Sequence, residues 1–276
     1  VPTGLPPLAG GLGTGRFARR DRRGVWPMGR GDDRGDATAP RRRAAEALRL
    51  ARARAAAATV PSPLALTRGR RGQYVAALAC AGFGLLYALV RARRSTAFDL
   101  AITMRMQRRR SPRLARAMAA ISWPGFPPQS RIIPPTLAAA FWLLGFPIEA
   151  ACQLLAWGTA LLSTIVKAQI RRPRPTSPAV RVVVAQLGGS SFPSGHVLSY
   201  VGVYGFLAYA IDTLVRPPGL RRPLVAALCG LLALVGPSRI YQGHHWFTDV
   251  LASYLLGTGY LIGLTALYRR ARARRG

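Results

Sequence analysis

Lysine is almost missing from this chain: of forty basic residues only Lys167 is not an arginine. Acidic residues are scarce too. Nine Asp and Glu leave a formal net charge of +31, and beyond residue 100 only Glu149, Asp212 and Asp249 are acidic. The three histidines, His196, His244 and His245, all fall in the C-terminal third. The cysteines Cys80, Cys152 and Cys229 are odd in number and lie in apolar runs, which argues against a disulfide framework and for core packing. Without a carboxylate or Cys/His cluster, neither a metal nor a cofactor is expected. A lone lysine among arginines marks a position that favours a compact ammonium over a planar fork.

What is present in quantity is apolar surface. Half of the residues are hydrophobic, which conflicts with such a charge in a soluble globule and agrees with a membrane protein that has basic flanks. Basic flanks also suit nucleic acid; here the apolar runs point to the bilayer as partner, and no nucleic acid is expected. Residues 1–72 are rich in Arg, Gly, Pro and Ala and too poor in large apolar side chains to offset the entropy of ordering. This tail is expected to be mostly disordered, with an Ala/Arg helix over 39–58 suited to anionic lipid. No short apolar core followed by a cleavage site appears in it, so no signal peptide is expected.

Six apolar segments follow, at about residues 73–90, 132–146, 148–170, 194–215, 224–235 and 247–268. The stretch 96–122 alternates Phe98, Ile102, Met106 and Leu114 with arginines, and reads as helices lying in the membrane interface. The expected fold is therefore all-α. A six-helix integral membrane bundle with interfacial helices spans 73–270, between the tail at 1–72 and a basic end at 271–276. Six crossings put both termini on one side, and their arginines make that side cytoplasmic. The connection carrying Arg91, Arg93 and Arg94 then falls outside, against the rule. The localisation implied is a multi-pass protein of the plasma (inner) membrane.

Polar residues gather in three places at the ends of these segments. Residues 238–249 hold Arg239, His244, His245 and Asp249; residues 167–175 hold Lys167, Arg171, Arg172 and Arg174; Ser194, Gly195 and His196 open the fourth segment. By parity all three clusters lie on one membrane face, opposite the termini. His245 and Asp249 are four apart and would share a helix face, the carboxylate fixing the imidazole tautomer. Lys167, Arg174 and Arg239 would put three cations on one anion, while Ser194 and Gly195 would aim amides and a hydroxyl at it from a helix start. That set suits a phosphoryl group: His245 as nucleophile, Asp249 as its partner, His196 as the acid for the leaving oxygen. Taken singly, each cluster has a plain reading, as snorkelling cations, an N-cap or a loop histidine.

The pattern K-x6-R-P at 167–175, P-S-G-H at 193–196 and S-R-x5-H-x3-D at 238–249 resembles, in order and spacing, the three-part signature of the type 2 phosphatidic acid phosphatase superfamily, which includes the vanadium haloperoxidases and bacterial acid phosphatases. The resemblance implies phosphate binding by Lys167, Arg174, Ser194, Gly195 and Arg239. It implies acid, nucleophile and partner roles for His196, His245 and Asp249, and hydrolysis without metal. The activity expected is that of a membrane phosphatase acting on a lipid phosphate or diphosphate, such as phosphatidate, phosphatidylglycerol phosphate or undecaprenyl pyrophosphate, through a phosphohistidine. A lipid phosphotransferase, a vanadate-dependent haloperoxidase and a non-enzymatic basic lipid- or nucleic-acid-binding protein are the alternatives. Arg171, Arg172 and His244 have no role in the pattern.

Overall fold

A computed structural model of the protein describes residues 39–58, 70–175, 177–182 and 188–274. Its regular elements are helices, and no strand forms among the described residues. Helix α1 (Ala39–Ala58) is the Ala/Arg segment; the rest of the expected disordered tail up to residue 69 lies outside the described residues. The others are α2 (Arg70–Arg91), α3 (Thr96–Met106), α4 (Pro112–Ser122), α5 (Gln129–Leu143), α6 (Pro147–Trp157), α7 (Thr159–Gln169), α8 (Gly195–Leu214), α9 (Pro218–Tyr241) and α10 (Phe247–Ala273). A 3₁₀ turn, Trp123–Gly125, follows α4.

Five stretches are long and apolar enough to cross a membrane: α2, α6 with α7 (Pro147–Gln169), α8, α9 and α10. The segment expected at 132–146 starts earlier, at Gln129, and carries Pro134 and Pro135 inside it. The segment expected at 224–235 is twice corrected. It begins at Pro218, because a proline at the first helical turn and the arginines after it continue a helix rather than form a basic loop. It ends at Tyr241, so Ser238 and Arg239 belong to its last turn and not to a connecting loop.

Helix α8 is the centre of the bundle, with most of its length buried. Its glycines admit neighbours at close range: a Cβ on Gly202 would stand 2.5 Å from the Ala156 carbonyl oxygen, and one on Gly257 of α10 would stand 2.9 Å from Val201. Small residues at such crossings let packing replace a hydrophobic driving force that lipid cannot supply. By contrast α2 exposes Tyr74, Val75, Leu78 and Leu85, a surface suited to lipid. At one end of the bundle Glu149 (1% exposed) accepts from the Tyr268 hydroxyl at 2.8 Å and from Arg272 Nε at 2.9 Å, tying α6 to the end of α10. The candidate site lies at the opposite end.

The stretch 96–122, expected to lie in the membrane interface, forms α3 and α4. Asp99 and Thr103 of α3 and Gln107 at its C-cap, each four apart, are all buried, whereas Phe98 and Met104 are exposed. The polar face of α3 points into the bundle. Gln107 donates to the carbonyls of Arg181 (2.7 Å) and Tyr241 (2.9 Å) and accepts from the Arg181 amide (2.9 Å). Helix α4 packs on the end of α9, where Ser122 and Ser238 share a hydrogen bond of 2.7 Å and Gln242 donates to the Met118 carbonyl. These two helices cover the end at which the site lies.

Candidate active site

Four helix ends meet here: the close of α7, the opening of α8, the close of α9 and the opening of α10. Gly243 makes the turn between the last two. Its φ of +72° is the left-handed region that favours glycine, and a Cβ there would lie 2.5 Å from the Arg181 carbonyl.

His245 is 2% exposed and precedes α10 rather than lying on it. The spacing to Asp249 therefore acts through the first turn of α10, not through a shared face of a continuous helix. The outcome for the ring also differs from the expected direct carboxylate contact. His245 Nδ1 is 2.8 Å from the Ser191 carbonyl oxygen and 3.6 Å from Asp249 Oδ2. A carbonyl only accepts, so Nδ1 carries the proton and Nε2 keeps its lone pair. Asp249 Oδ2 stands just beyond hydrogen-bond length from the ring and accepts from the Trp246 amide at 2.9 Å.

Three cations surround the lone pair. Arg174 Nη1 lies 3.3 Å from His245 Nε2 and donates to the His244 carbonyl at 2.8 Å. Lys167 donates to the Ser190 carbonyl at 2.7 Å, beside the carbonyl that holds His245. Arg239, fully buried, stacks on Phe126 at 4.9 Å and spends Nη1 on Gln242. Burial first, and then the charges of Arg239, Arg174 and Lys167, hold the His245 pKa well below the ordinary histidine value.

Ser194 stands at the N-cap position of α8, yet its side chain caps nothing. Its backbone N–H donates to Ser253 Oγ at 2.8 Å, so that amide is not available to a ligand, contrary to expectation. Ser194 Oγ is buried without a partner, as are His196 Nε2 and Arg239 Nε and Nη2. Gly195 begins the helix, 3.3 Å (from a Cβ placed on it) to Ser163 Oγ. His196 packs edge-on against Phe126, ring centroids 4.6 Å apart, and lies within electrostatic reach of Arg239, His245, His244 and Arg174. The structure thus brings Lys167, Arg174, Ser194, Gly195, His196, Arg239, His245 and Asp249 to one end of the bundle. Among the described residues no three His, Cys, Asp or Glu side chains are grouped as metal ligands.

Several residues here escape a reading of the sequence. Arg172 bridges Asp249 and Asp99, at 2.5 and 2.6 Å. The pair was hidden because Asp99 is distant along the chain. Gly125 and Phe126 press on His196: a Cβ on Gly125 would fall 2.3 Å from its Cδ2. The one legible hint was the Trp-Pro-Gly-Phe turn between an amphipathic helix and an apolar one. Arg171 is exposed and helps line two cavities, one of about 600 Å³ with Lys167, Thr164 and Ser190, the other of about 480 Å³ with Arg91, Arg93 and Trp246.

Comparison with known proteins places this geometry. Residues 149–273 match the PAP2 superfamily. The chain is 37% identical over 108 residues to phosphatidylglycerophosphatase B of Bacillus subtilis (strain 168), covering 38% of this chain and 51% of that protein. It is 33% identical over 122 residues to undecaprenyl-diphosphatase BcrC of the same organism, covering 42% of this chain and 58% of that protein. The chain thus spans between half and three-fifths of the curated relatives it matches. The crystal structure of a transmembrane PAP2-type phosphatidylglycerolphosphate phosphatase from Bacillus subtilis superposes with a TM-score of 0.59 at 27% identity, over 73% of this chain and 97% of that one. All eight of the gathered residues lie inside the stretch, residues 149–273, that matches the PAP2 superfamily.

Proposed function

We propose that the protein is an integral membrane phosphatase that hydrolyses a lipid phosphate or diphosphate. The observation that carries this reading is the buried Arg239, whose Nε and Nη2 have no partner although it stands with Lys167 and Arg174 around the free nitrogen of His245. Unpaired buried cations are costly, and a phosphoryl group supplies the charge and the oxygens they lack. The names of the relatives, a phosphatidylglycerophosphatase and an undecaprenyl-diphosphatase, support phosphatidylglycerol phosphate and undecaprenyl pyrophosphate as substrates; phosphatidate is the third.

In this reading Lys167, Arg174, Arg239, the Ser194 hydroxyl and the first amides of α8, beginning at Gly195, hold the phosphoryl oxygens. His245 Nε2 attacks phosphorus. The N–P bond forms as the P–O bond to the lipid breaks, and His196 gives its proton to the leaving oxygen. Water then attacks the phosphohistidine, His196 takes back a proton, and inorganic phosphate leaves. The Asp249 charge offsets the positive charge that the His245 ring gains.

We further infer six crossings, the extra one being α5. The chain path supports it: Gly125 and Phe126 lie against His196 at the site end, whereas Glu149 pairs with Tyr268 and Arg272 at the other end. The fifteen residues of α5 reach about 22 Å, and the residues on either side supply the rest. With the termini cytoplasmic, the site faces the extracytoplasmic side of the inner membrane.

The test is phosphate release by purified protein from a panel of these lipids, with and without chelator. Release that survives the chelator and is abolished by His245→Ala is expected, with His196→Ala slower by about 10²-fold or more. Wild-type protein that releases no phosphate from any of the lipids overturns the reading.

A further inference from the structure

Arg172 sits within the cationic stretch 167–175, yet its guanidinium is occupied from below. Nη1 donates to Asp249 Oδ1 at 2.5 Å and to Thr248 Oγ1 at 2.8 Å; Nη2 donates to Asp99 Oδ2 at 2.6 Å and to Ser95 Oγ at 3.1 Å. The Thr248 hydroxyl donates in turn to Asp99 Oδ2 at 2.7 Å. Asp99 Oδ1 accepts the Thr248 amide at 2.8 Å, so a residue of α3 caps the opening of α10 from across the fold. Both carboxylates are fully buried.

We propose that Asp99 and Arg172 are positioning residues: with Thr248 they clamp the Asp249 carboxylate so that its charge stays aimed at His245. This rests on the phosphatase reading above. Asp249 Oδ1 is bound by Arg172 and Oδ2 by the Trp246 amide, which leaves the carboxylate no freedom to turn. Two buried carboxylates near one another repel. A planar fork with one arm on each offsets that repulsion and fixes their separation. The clamp moves no proton. It matters when the His245 ring becomes positive on phosphorylation, because Nδ1–H remains on the Ser191 carbonyl and the compensating charge is the carboxylate 3.6 Å away. Asp99 lies outside the stretch 149–273 that matches the family, so the clamp recruits an element from elsewhere in the chain.

The inference separates binding from chemistry. Lys167, Arg174 and Arg239 are untouched by the clamp, so ground-state phosphate binding is independent of it. In the full chain, Asp99→Asn is expected to lower kcat by about 10-fold or more, with KM and inhibition by inorganic phosphate unchanged to within about threefold. In an Asp249→Asn background the same change is expected to alter residual turnover by less than about threefold, because the group it positions is gone. Thr248→Val removes one hydroxyl with little change of shape and repeats the cycle, and it decides the matter alone if Asp99→Asn does not fold. Equal losses in both backgrounds, weakened phosphate inhibition in step with kcat, or full activity of both variants in an active enzyme would overturn the clamp while leaving the phosphatase reading intact. An inactive wild type would instead strike that reading, and the clamp with it.

Discussion

At His245 burial and three neighbouring cations act in the same direction, and the sign of the pH dependence follows. In the proposed mechanism the neutral ring is the nucleophile, and its pKa is held well below the ordinary value. Protonation disables it only as pH falls through that lowered value. The acid limb of kcat/KM is therefore expected well below about 6.5, measured with a soluble phosphate ester across pH. The same group makes the folded state less favoured at acid pH, because the unfolded histidine binds a proton that the buried one refuses. Gly125 offers a second check. A methyl group there meets the His196 ring at 2.3 Å, so Gly125→Ala is expected to displace the acid. A fall in kcat of about 10², with normal yield and unchanged phosphate inhibition, is the outcome to look for. At this scale Lys167, Arg174, Arg239, His196, His245 and Asp249 were legible, because charge near apolar runs stands out. Arg172 was visible but its role was not. The partner that accounts for it, Asp99, is 73 residues away and has no local signature.

Among the elements, α9 shows how a helix accommodates an internal proline. Pro237 cannot donate to the Ala233 carbonyl. One residue earlier the ladder is opened by Tyr254 of α10: the Gly236 amide donates to its hydroxyl at 3.0 Å, and the hydroxyl donates to the Leu232 carbonyl at 2.6 Å. The final turn, with Ser238 and Arg239, follows directly. Tyr254→Phe strands both backbone groups and is expected to cost about 1–3 kcal/mol, read as a lower midpoint of thermal unfolding in detergent together with weaker phosphate inhibition. Helix α3 was read as an amphipathic helix of the membrane interface, and its inward partners were not foreseen: Asp99 and Gln107 bond to groups distant along the chain. The limits of α9 were missed for a related reason: arginines and prolines at a helix end resemble a loop in composition.

For the whole molecule, orientation is the quantity to test. If the site is extracytoplasmic, Pro178→Cys beside it should react with a membrane-impermeant thiol reagent in intact cells. Gly219→Cys, in the exposed opening of α9 at the other end, should react only after permeabilisation. Labelling in the reverse order would invert the topology. Both variants belong in a background where the exposed Cys80 and Cys229 are replaced.

Hydropathy and charge along the chain determined the long apolar helices seen among the described residues, and three spaced motifs determined which residues come to one end of them. Both are local properties: a bilayer selects apolar length, and helix parity carries every second connection to the same face. Only the tertiary structure decided what those residues do to one another. It gave the His245 proton to a carbonyl rather than to Asp249, withdrew the Ser194 amide, set Phe126 beneath Arg239 and bound Asp249 through Arg172 to Asp99. Hydrogen bonds and ion pairs act over about 3 Å, and distance along a chain carries no information at that range until the helices have packed.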